Sequence, residues 1–181
     1  RHGNRVGAVF YSSQVTQTIP ARGGRLQVLR LLNDLLKQPQ LSKAPFTSLG
    51  PLLETGLRMI RRRSLVFVIS DFISAPGWEQ PMRMLGQRHD TLCVRLWDPR
   101  ERELPDVGPI IMEDAETGEQ LYVDTHDKHF RQRYQAAQQQ REVTLQQAFA
   151  RAGVDTLALS TEDDLVRAIM RFAALRRRRK V

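Results

Sequence analysis

Apolar residues along the chain recur at two periods, and the alternation of those periods lays out the fold. Residues 6–11 (VGAVFY) and 15–19 (VTQTI) are short runs rich in β-branched and aromatic residues, joined by Ser12-Ser13-Gln14, and predict a hairpin. Residues 20–24 interrupt the pattern. Leu26, Leu29, Leu32 and Leu36, with Val28 and Leu35 beside them, then keep helical spacing. A loop at 39–45 leads to a second helix carrying Leu49, Leu52, Leu53, Leu57 and Ile60, with Thr47 or Ser48 placed to cap it. Residues 65–69 (LVFVI) form a continuous apolar run, the pattern of a strand buried on both faces of a parallel sheet. Residues 78–88 predict a helix and 91–97 another buried strand, ended by Asp98-Pro99. Residues 110–112 and 120–123 flank a turn around Thr117-Gly118 and predict a protruding hairpin. A long helix follows at 127–152, with Phe130, Tyr134, Ala137, Leu145, Ala148 and Ala152 on one stripe. Residues 155–159 give a last strand, and Thr161 with Asp164 resembles a capping box opening a final helix through Leu165, Ile169 and Phe172.

Strands alternating with helices of this length imply an α/β domain: a mostly parallel sheet with helices on both faces. Such sheets bind ligands at the carboxyl ends of their strands, so polar residues there are the first candidates for chemistry. Asp71 directly follows LVFVIS. A carboxylate in that position can hold Mg²⁺ directly or through water; it can also simply cap the next turn. Thr47 and Ser48 offer hydroxyls in a loop before a helix, as helix caps or as oxygen donors to a cation.

The 181 residues suit one domain, and no apolar run reaches the length of a membrane span. Cys93 is the single cysteine and lies in an apolar run, which excludes an internal disulfide and reads as a core thiol. Net charge is +8, and 24 of the 28 cationic residues are arginine. Five positives fall in one run at 176–180, leaving about +3 for the rest. Basicity is therefore mostly a property of the end of the chain, and a nucleic-acid groove across the fold is not expected. The division implied is a domain at 1–175 and a basic tail at 176–181, either solvated or drawn to anionic headgroups and phosphates.

Other candidates carry less. His126 and His129 sit at i, i+3 around a helix start, a spacing that can bind metal but lacks a third ligand nearby, so it reads as cap chemistry. His89-Asp90 is too short a match to define a phosphohydrolase. Arg22-Gly23-Gly24-Arg25 reads as a turn before a helix, and Arg61-Arg62-Arg63 complements a helix C-terminus. The chain opens at Arg1, with no methionine and no signal-peptide pattern, and enters a strand within six residues, so it reads as a piece of a longer protein.

The blocks GNRVGAVFYSSQV, RGGRLQVLRLLNDLL, FTSLGPLLETGLRMIRRRSLVFVISDF, WDPRERELPDVG and AGVDTLALSTEDDLVRAIMRF, taken in order, resemble the MoxR-associated von Willebrand factor A-like proteins, domain-of-unknown-function family 58. The resemblance implies a three-layer, Rossmann-like von Willebrand A-type fold. In such domains a metal-ion-dependent adhesion site joins an Asp-x-Ser-x-Ser loop after the first strand to a threonine and to a later aspartate. Thr47 matches the threonine and Asp71 the later aspartate. Ser48 stands where the family favours aspartate. No Asp-x-Ser-x-Ser occurs in these residues. The chain is therefore expected to be a fragment lacking the first, central strand. It would hold half of a metal site, Asp71 and Thr47, with the remainder upstream of Arg1.

The resemblance thus implies a non-enzymatic protein-interaction domain whose complete form uses Mg²⁺ or Mn²⁺ to recognise a carboxylate on its partner, with none bound by the fragment. The implied partner is a MoxR-type AAA+ ATPase acting in complex assembly or maturation. The implied location is cytoplasmic, at the inner face of a bacterial membrane, with membrane attachment through segments outside this chain. The unpaired sheet edge is expected to favour an altered sheet, a strand from another copy, or self-association. Two alternatives compete: a metal-dependent phosphohydrolase using Asp71 with His89 or His126, and a nucleic-acid binder acting through the arginines.

Overall fold

A computed structural model of the chain describes residues 3–39, 47–113 and 119–179. The loop expected at 39–45, the turn at Thr117-Gly118 and the end of the basic run fall wholly or largely outside them, and so does Arg1. The elements follow the predicted order: β1 (Arg5–Tyr11), β2 (Val15–Gly23), α1 (Arg25–Leu36), α2 (Leu49–Met59), β3 (Leu65–Ser70), α3 (Glu79–Arg88), β4 (Asp90–Trp97), β5 (Pro109–Glu113), β6 (Gln120–Asp124), α4 (Lys128–Ala152), β7 (Asp155–Ser160) and α5 (Leu165–Arg179).

The mixed α/β architecture is built on a parallel sheet ordered β3-β4-β7 and flanked by helices. The other four strands form two separate antiparallel hairpins, β1-β2 and β5-β6. Parallel pairing is thus confined to the three central strands, where the sequence pattern implied a mostly parallel sheet. Strand β2 also continues through Pro20, where a break was expected. Val6 pairs with Arg22 and Ala8 with Ile19, so Pro20 and Ala21 bulge opposite Gly7 and cost no ladder donor there. A Cβ on Gly7 would lie 2.6 Å from the Ile19 carbonyl oxygen, and only glycine fits against the bulge.

One face of the parallel sheet carries the main core. Leu49 and Leu53 of α2, Met82 and Leu85 of α3, and Leu145, Ala148 and Phe149 of α4 pack over Val68 and Cys93. Each large side chain so buried contributes about 1.5–3 kcal/mol. On the other face, Leu92, Val94 and Leu159 meet α5 through Ala168 and Phe172. That second layer stops short of β3. Leu65, Phe67 and Ile69 are 52%, 54% and 62% exposed, whereas Val68 is buried. The LVFVI strand is therefore covered on one face only, contrary to the reading of its continuous apolar run. The leucine stripe of α1 is likewise exposed, and the buried residue of that helix is Gln27, which donates to the carbonyls of Val6 at 3.1 Å and Pro20 at 3.0 Å.

Two caps differ from the pattern. The amino end of α2 is satisfied from across the fold by Ser74, whose Oγ accepts from Leu49 N–H at 2.9 Å. Ser48 occupies the cap position but makes no capping bond through its side chain. At α5 the Asp164 carboxylate accepts from Arg167 N–H, while the Thr161 hydroxyl donates to Asp98. Helix α5 runs on to Arg179, and Arg176 pairs with Asp90 and Asp155. The first arginine of the basic run thus belongs to the folded domain.

Candidate functional site

Asp71 stands one residue beyond β3, exposed, at the carboxyl end of the parallel strands. Its Oδ1 accepts from Ile73 N–H at 3.0 Å and from the Ser70 hydroxyl at 3.3 Å. Oδ2 has no hydrogen-bond partner among the described residues. The chain turns sharply here because Phe72 adopts a left-handed backbone, with φ of 59°. An aromatic residue in that region costs roughly 1–3 kcal/mol and persists only where its surroundings hold it there. They do: the Phe72 ring is buried edge-on against Phe149 at 4.8 Å and tilted against Trp78 at 5.7 Å, and its N–H donates to Ser70 Oγ at 3.0 Å.

Thr47 lies half-buried just before α2, and its carbonyl accepts from Ala75 N–H at 3.1 Å. With the Ser74–Leu49 bond, this ties the loop after β3 to the entry of α2. Both candidate oxygen donors therefore belong to one loop cluster. Their chemistry fits part of a hard-cation shell, because carboxylate and hydroxyl oxygens suit Mg²⁺ or Mn²⁺ and Asp71 keeps one oxygen open. Two residues fall well short of the six oxygens such an ion takes. Among the described residues no three of His, Cys, Asp and Glu gather as a ligand cluster. The donors expected upstream of Arg1 lie outside the chain, and Arg1 itself outside its described residues. Among the described residues, Asp71 and Thr47 by themselves do not make a complete cation site.

Of the residues singled out for a phosphohydrolase, His89 lies apart from Asp71. His89 directly precedes β4, whose first residue Asp90 pairs with Leu65 at the start of β3, whereas Asp71 follows the other end. Six residues of strand separate them by roughly 20 Å. His89 is buried, and neither ring nitrogen has a hydrogen-bond partner among the described residues. His126 instead shares a 2.5 Å contact with Asp106, and Asp127 caps α4 by accepting from His129 N–H at 2.8 Å, the cap chemistry expected of that cluster.

Sequence reasoning missed Arg95. It lies on β4 beside Ser70, its side chain 14% exposed, in ion-pair contact with Glu142 of α4. Its only sequence signal was a charge inside an otherwise apolar strand. Arg95, Asp71, Phe72, Trp78 and Arg141 line a cleft of about 450 Å³ between the loop after β3 and α4.

Fold and site together define an α/β domain with its polar groups gathered at the carboxyl ends of parallel strands. The chain belongs to the DUF58 family of proteins of unknown function, whose model matches residues 1–144. It is 32% identical over 176 residues to the uncharacterized protein Mb1516 of Mycobacterium bovis and equally to Rv1480 of Mycobacterium tuberculosis, covering 97% of this chain and 55% of each relative. The chain therefore spans about half the length of those relatives. The uncharacterized protein MAV169 of Mycobacterium avium is 31% identical over 160 residues, covering 88% of this chain and 94% of that protein. Among solved structures the fold is similar to the conserved hypothetical protein BatB from Bacteroides thetaiotaomicron, with TM-score 0.55, 12% identity, all of this chain and 82% of that one. It is also similar to an aerotolerance-related membrane protein from Bacteroides fragilis, with TM-score 0.52, 13% identity, 94% of this chain and 78% of that one. No helix among the described residues is long and apolar enough to cross a membrane.

Proposed function

We propose that the chain is a non-enzymatic protein-interaction domain of von Willebrand A type that recognises a carboxylate on its partner with the help of a divalent cation. Its partner in this reading is a MoxR-type AAA+ ATPase acting in the assembly or maturation of other complexes. The observation that carries the reading is the junction of the two loops bearing Asp71 and Thr47, through Ala75 N–H on the Thr47 carbonyl and Leu49 N–H on Ser74, at the carboxyl ends of the strands. Asp71 would hold Mg²⁺ or Mn²⁺ through its open oxygen and Thr47 through oxygen directly or by way of water, and the bound ion supplies a coordination position for the partner's carboxylate.

The sheet supports the same reading. Among the described residues β1 pairs only with β2, and β3 only with β4. A further strand between β1 and β3 would join the hairpin to the parallel sheet and deliver an upstream Asp-x-Ser-x-Ser loop beside Asp71. Pairing of these edges between two copies is the competing use of the same surface. A place at the inner face of the bacterial membrane belongs to the same reading.

Thermal unfolding with and without Mg²⁺ tests the proposal, on this chain and on a version extended upstream through the first strand. A ligand at 100 times its Kd stabilises by about 2.7 kcal/mol. The extended protein is expected to respond by that order and to lose the response with Asp71→Ala. An extended protein indifferent to Mg²⁺ would overturn the metal-assisted reading. Phosphate-ester hydrolysis lost with Asp71→Ala would overturn the non-enzymatic one.

A further inference from the structure

Helix α5 touches the sheet with little of its surface. Ala168 and Phe172 pack on Leu92, Val94 and Leu159, and Arg176 ties the helix to the amino ends of β4 and β7 through Asp90 and Asp155. The side turned away is apolar where a solvated helix carries charge. Met170 lies two positions from both Ala168 and Phe172, and two residues turn a helix by about 200°, so Met170 stands on the side opposite the sheet. Val166, one turn earlier, shares that line. Met170 and Val166 are 68% and 69% exposed, and Ile169 is exposed beside them.

The charge of the helix has one sign. Its 15 residues hold six arginines and no carboxylate. Arg167 and Arg171 border the apolar line on one side, and Arg177 continues it. All three are exposed and make no ion pair among the described residues. The acidic groups next to the helix lie before it, at Glu162, Asp163 and Asp164, and Asp163 and Asp164 accept from the N–H groups of Ser160 and Arg167. Charge is thus graded along the axis, acidic ahead of the amino end and basic toward the carboxyl end.

An apolar line bordered by arginines suits a helix lying in a lipid interface, where apolar side chains enter the acyl boundary and guanidinium groups reach anionic headgroups. A second copy of the chain would bring the same arginines to the contact, and like charges oppose that pairing. The exposed residues of β3 call for a different cover. Phe67 and Ile69 face the same side of the sheet as α5, since they pair with Leu92 and Val94. They lie at the level of the strands, so an element laid over them meets the flank of α5 and leaves Val166 and Met170 free.

We propose that α5 is a membrane-surface contact, with Val166, Ile169 and Met170 entering the interface of an anionic bilayer and Arg167, Arg171 and Arg177 taking lipid phosphates. The carboxyl half of the helix lies nearest the lipid, because the acidic groups are at the other end. The inference goes beyond the partner docking proposed above and rests neither on that role nor on the cation.

The test is co-sedimentation of the full chain with vesicles of equal parts phosphatidylcholine and phosphatidylglycerol, and with vesicles of phosphatidylcholine alone, at low salt. Binding is expected to the mixed vesicles only. Each arginine near an anionic surface strengthens binding by about fivefold, so Arg171→Glu together with Arg177→Glu is expected to weaken it at least about twenty-fivefold. Met170→Asp keeps every arginine and is expected to weaken binding at least about tenfold. Arg151→Glu, a charge reversal on α4, serves as the control, and unfolding midpoints verify that the variants fold. Met170→Trp reports insertion directly, through added emission that is expected to shift to the blue on the mixed vesicles. Full binding by Met170→Asp, or unshifted emission from Met170→Trp, would overturn the helix contact and reduce the attraction to charge alone. Equal binding to phosphatidylcholine vesicles would overturn the part given to the arginines. Failure to bind either vesicle would overturn the whole proposal, and a DNA duplex bound instead, and released by the arginine reversals, would reassign the helix to nucleic acid.

Discussion

Arg176 Nη2 donates to Asp90 Oδ1 at 2.6 Å, joining the last helix to the start of a strand 86 residues earlier. The same guanidinium donates through Nε to Asp155 Oδ2, also at 2.6 Å. Asp90 opens β4 and Asp155 opens β7, so one planar fork fastens α5 across the amino ends of two parallel strands. Charged hydrogen bonds contribute about 1.5–3 kcal/mol when sheltered, and the half-exposed carboxylates reduce this. Arg176→Ala is expected to cost about 1–2 kcal/mol, read as a lower urea midpoint. Arg177→Ala, one residue on, is expected to stay within about 0.5 kcal/mol.

Ser74 supports the site from beneath. Its Oγ accepts from Leu49 N–H at the first turn of α2 and donates to the Ala75 carbonyl at 3.1 Å. Ser74→Ala leaves that amide without its cap, at a cost of about 1 kcal/mol. Because the same loop also holds Thr47 through Ala75 N–H, faster amide exchange is expected at both Leu49 and Ala75. Exchange that stays unchanged at Ala75 would show that the two loops are joined without Ser74.

The sequence pattern made every strand and α-helix among the described residues legible, because periods of two and of 3.6 are written in the residues themselves; the short 3-10 turn at Pro99–Glu101 carries no such period. It misjudged burial. LVFVI reads as doubly buried, but burial depends on what stands opposite, and nothing among the described residues covers Phe67 or Ile69. The leucines of α1 fail for the same reason. Caps were misassigned where the donor is remote: Ser74 serves Leu49 from 25 residues away, a distance no local motif reveals. The position of Asp71 at a strand end was legible because it follows an unmistakable strand. Arg95 was not, since its role depends on Glu142 and Arg141 arriving from α4.

Cys93 lies wholly buried against Met82, whose sulfur its thiol approaches at 3.6 Å. Burial pushes the thiol up to about 12, so the reactive thiolate is negligible at neutral pH. A disulfide reagent such as Ellman's is expected to leave the folded chain unmodified and to react with one thiol once urea unfolds it. Rapid labelling under native conditions would mean that β4 opens far more readily than its central place in the sheet implies.

His89 gives the fold a second pH response, distinct from that of its carboxylates. Burial, and then the charge of Arg88, lower its pKa from the ordinary 6.5, and neither ring nitrogen has a partner among the described residues to hold an added proton. Above that value the imidazole is neutral both folded and unfolded, and it does not bias stability. As pH falls through 6.5 the unfolded chain takes up the proton first, so stability falls, and the loss levels off only below the folded value. Asp98, Asp106 and Asp127 are lowered as well, chiefly by Arg100 N–H, the His126 side chain and Phe130 N–H respectively. Their contribution is complete above the ordinary carboxylate range, near about 4, and is lost only below it. The two windows are therefore separable. Urea midpoints measured between about pH 7 and pH 5 are expected to fall for the native chain and to stay level for His89→Leu, which keeps the apolar volume but cannot titrate. Parallel slopes in the two proteins would assign the response to other groups and leave His89 a silent member of the core.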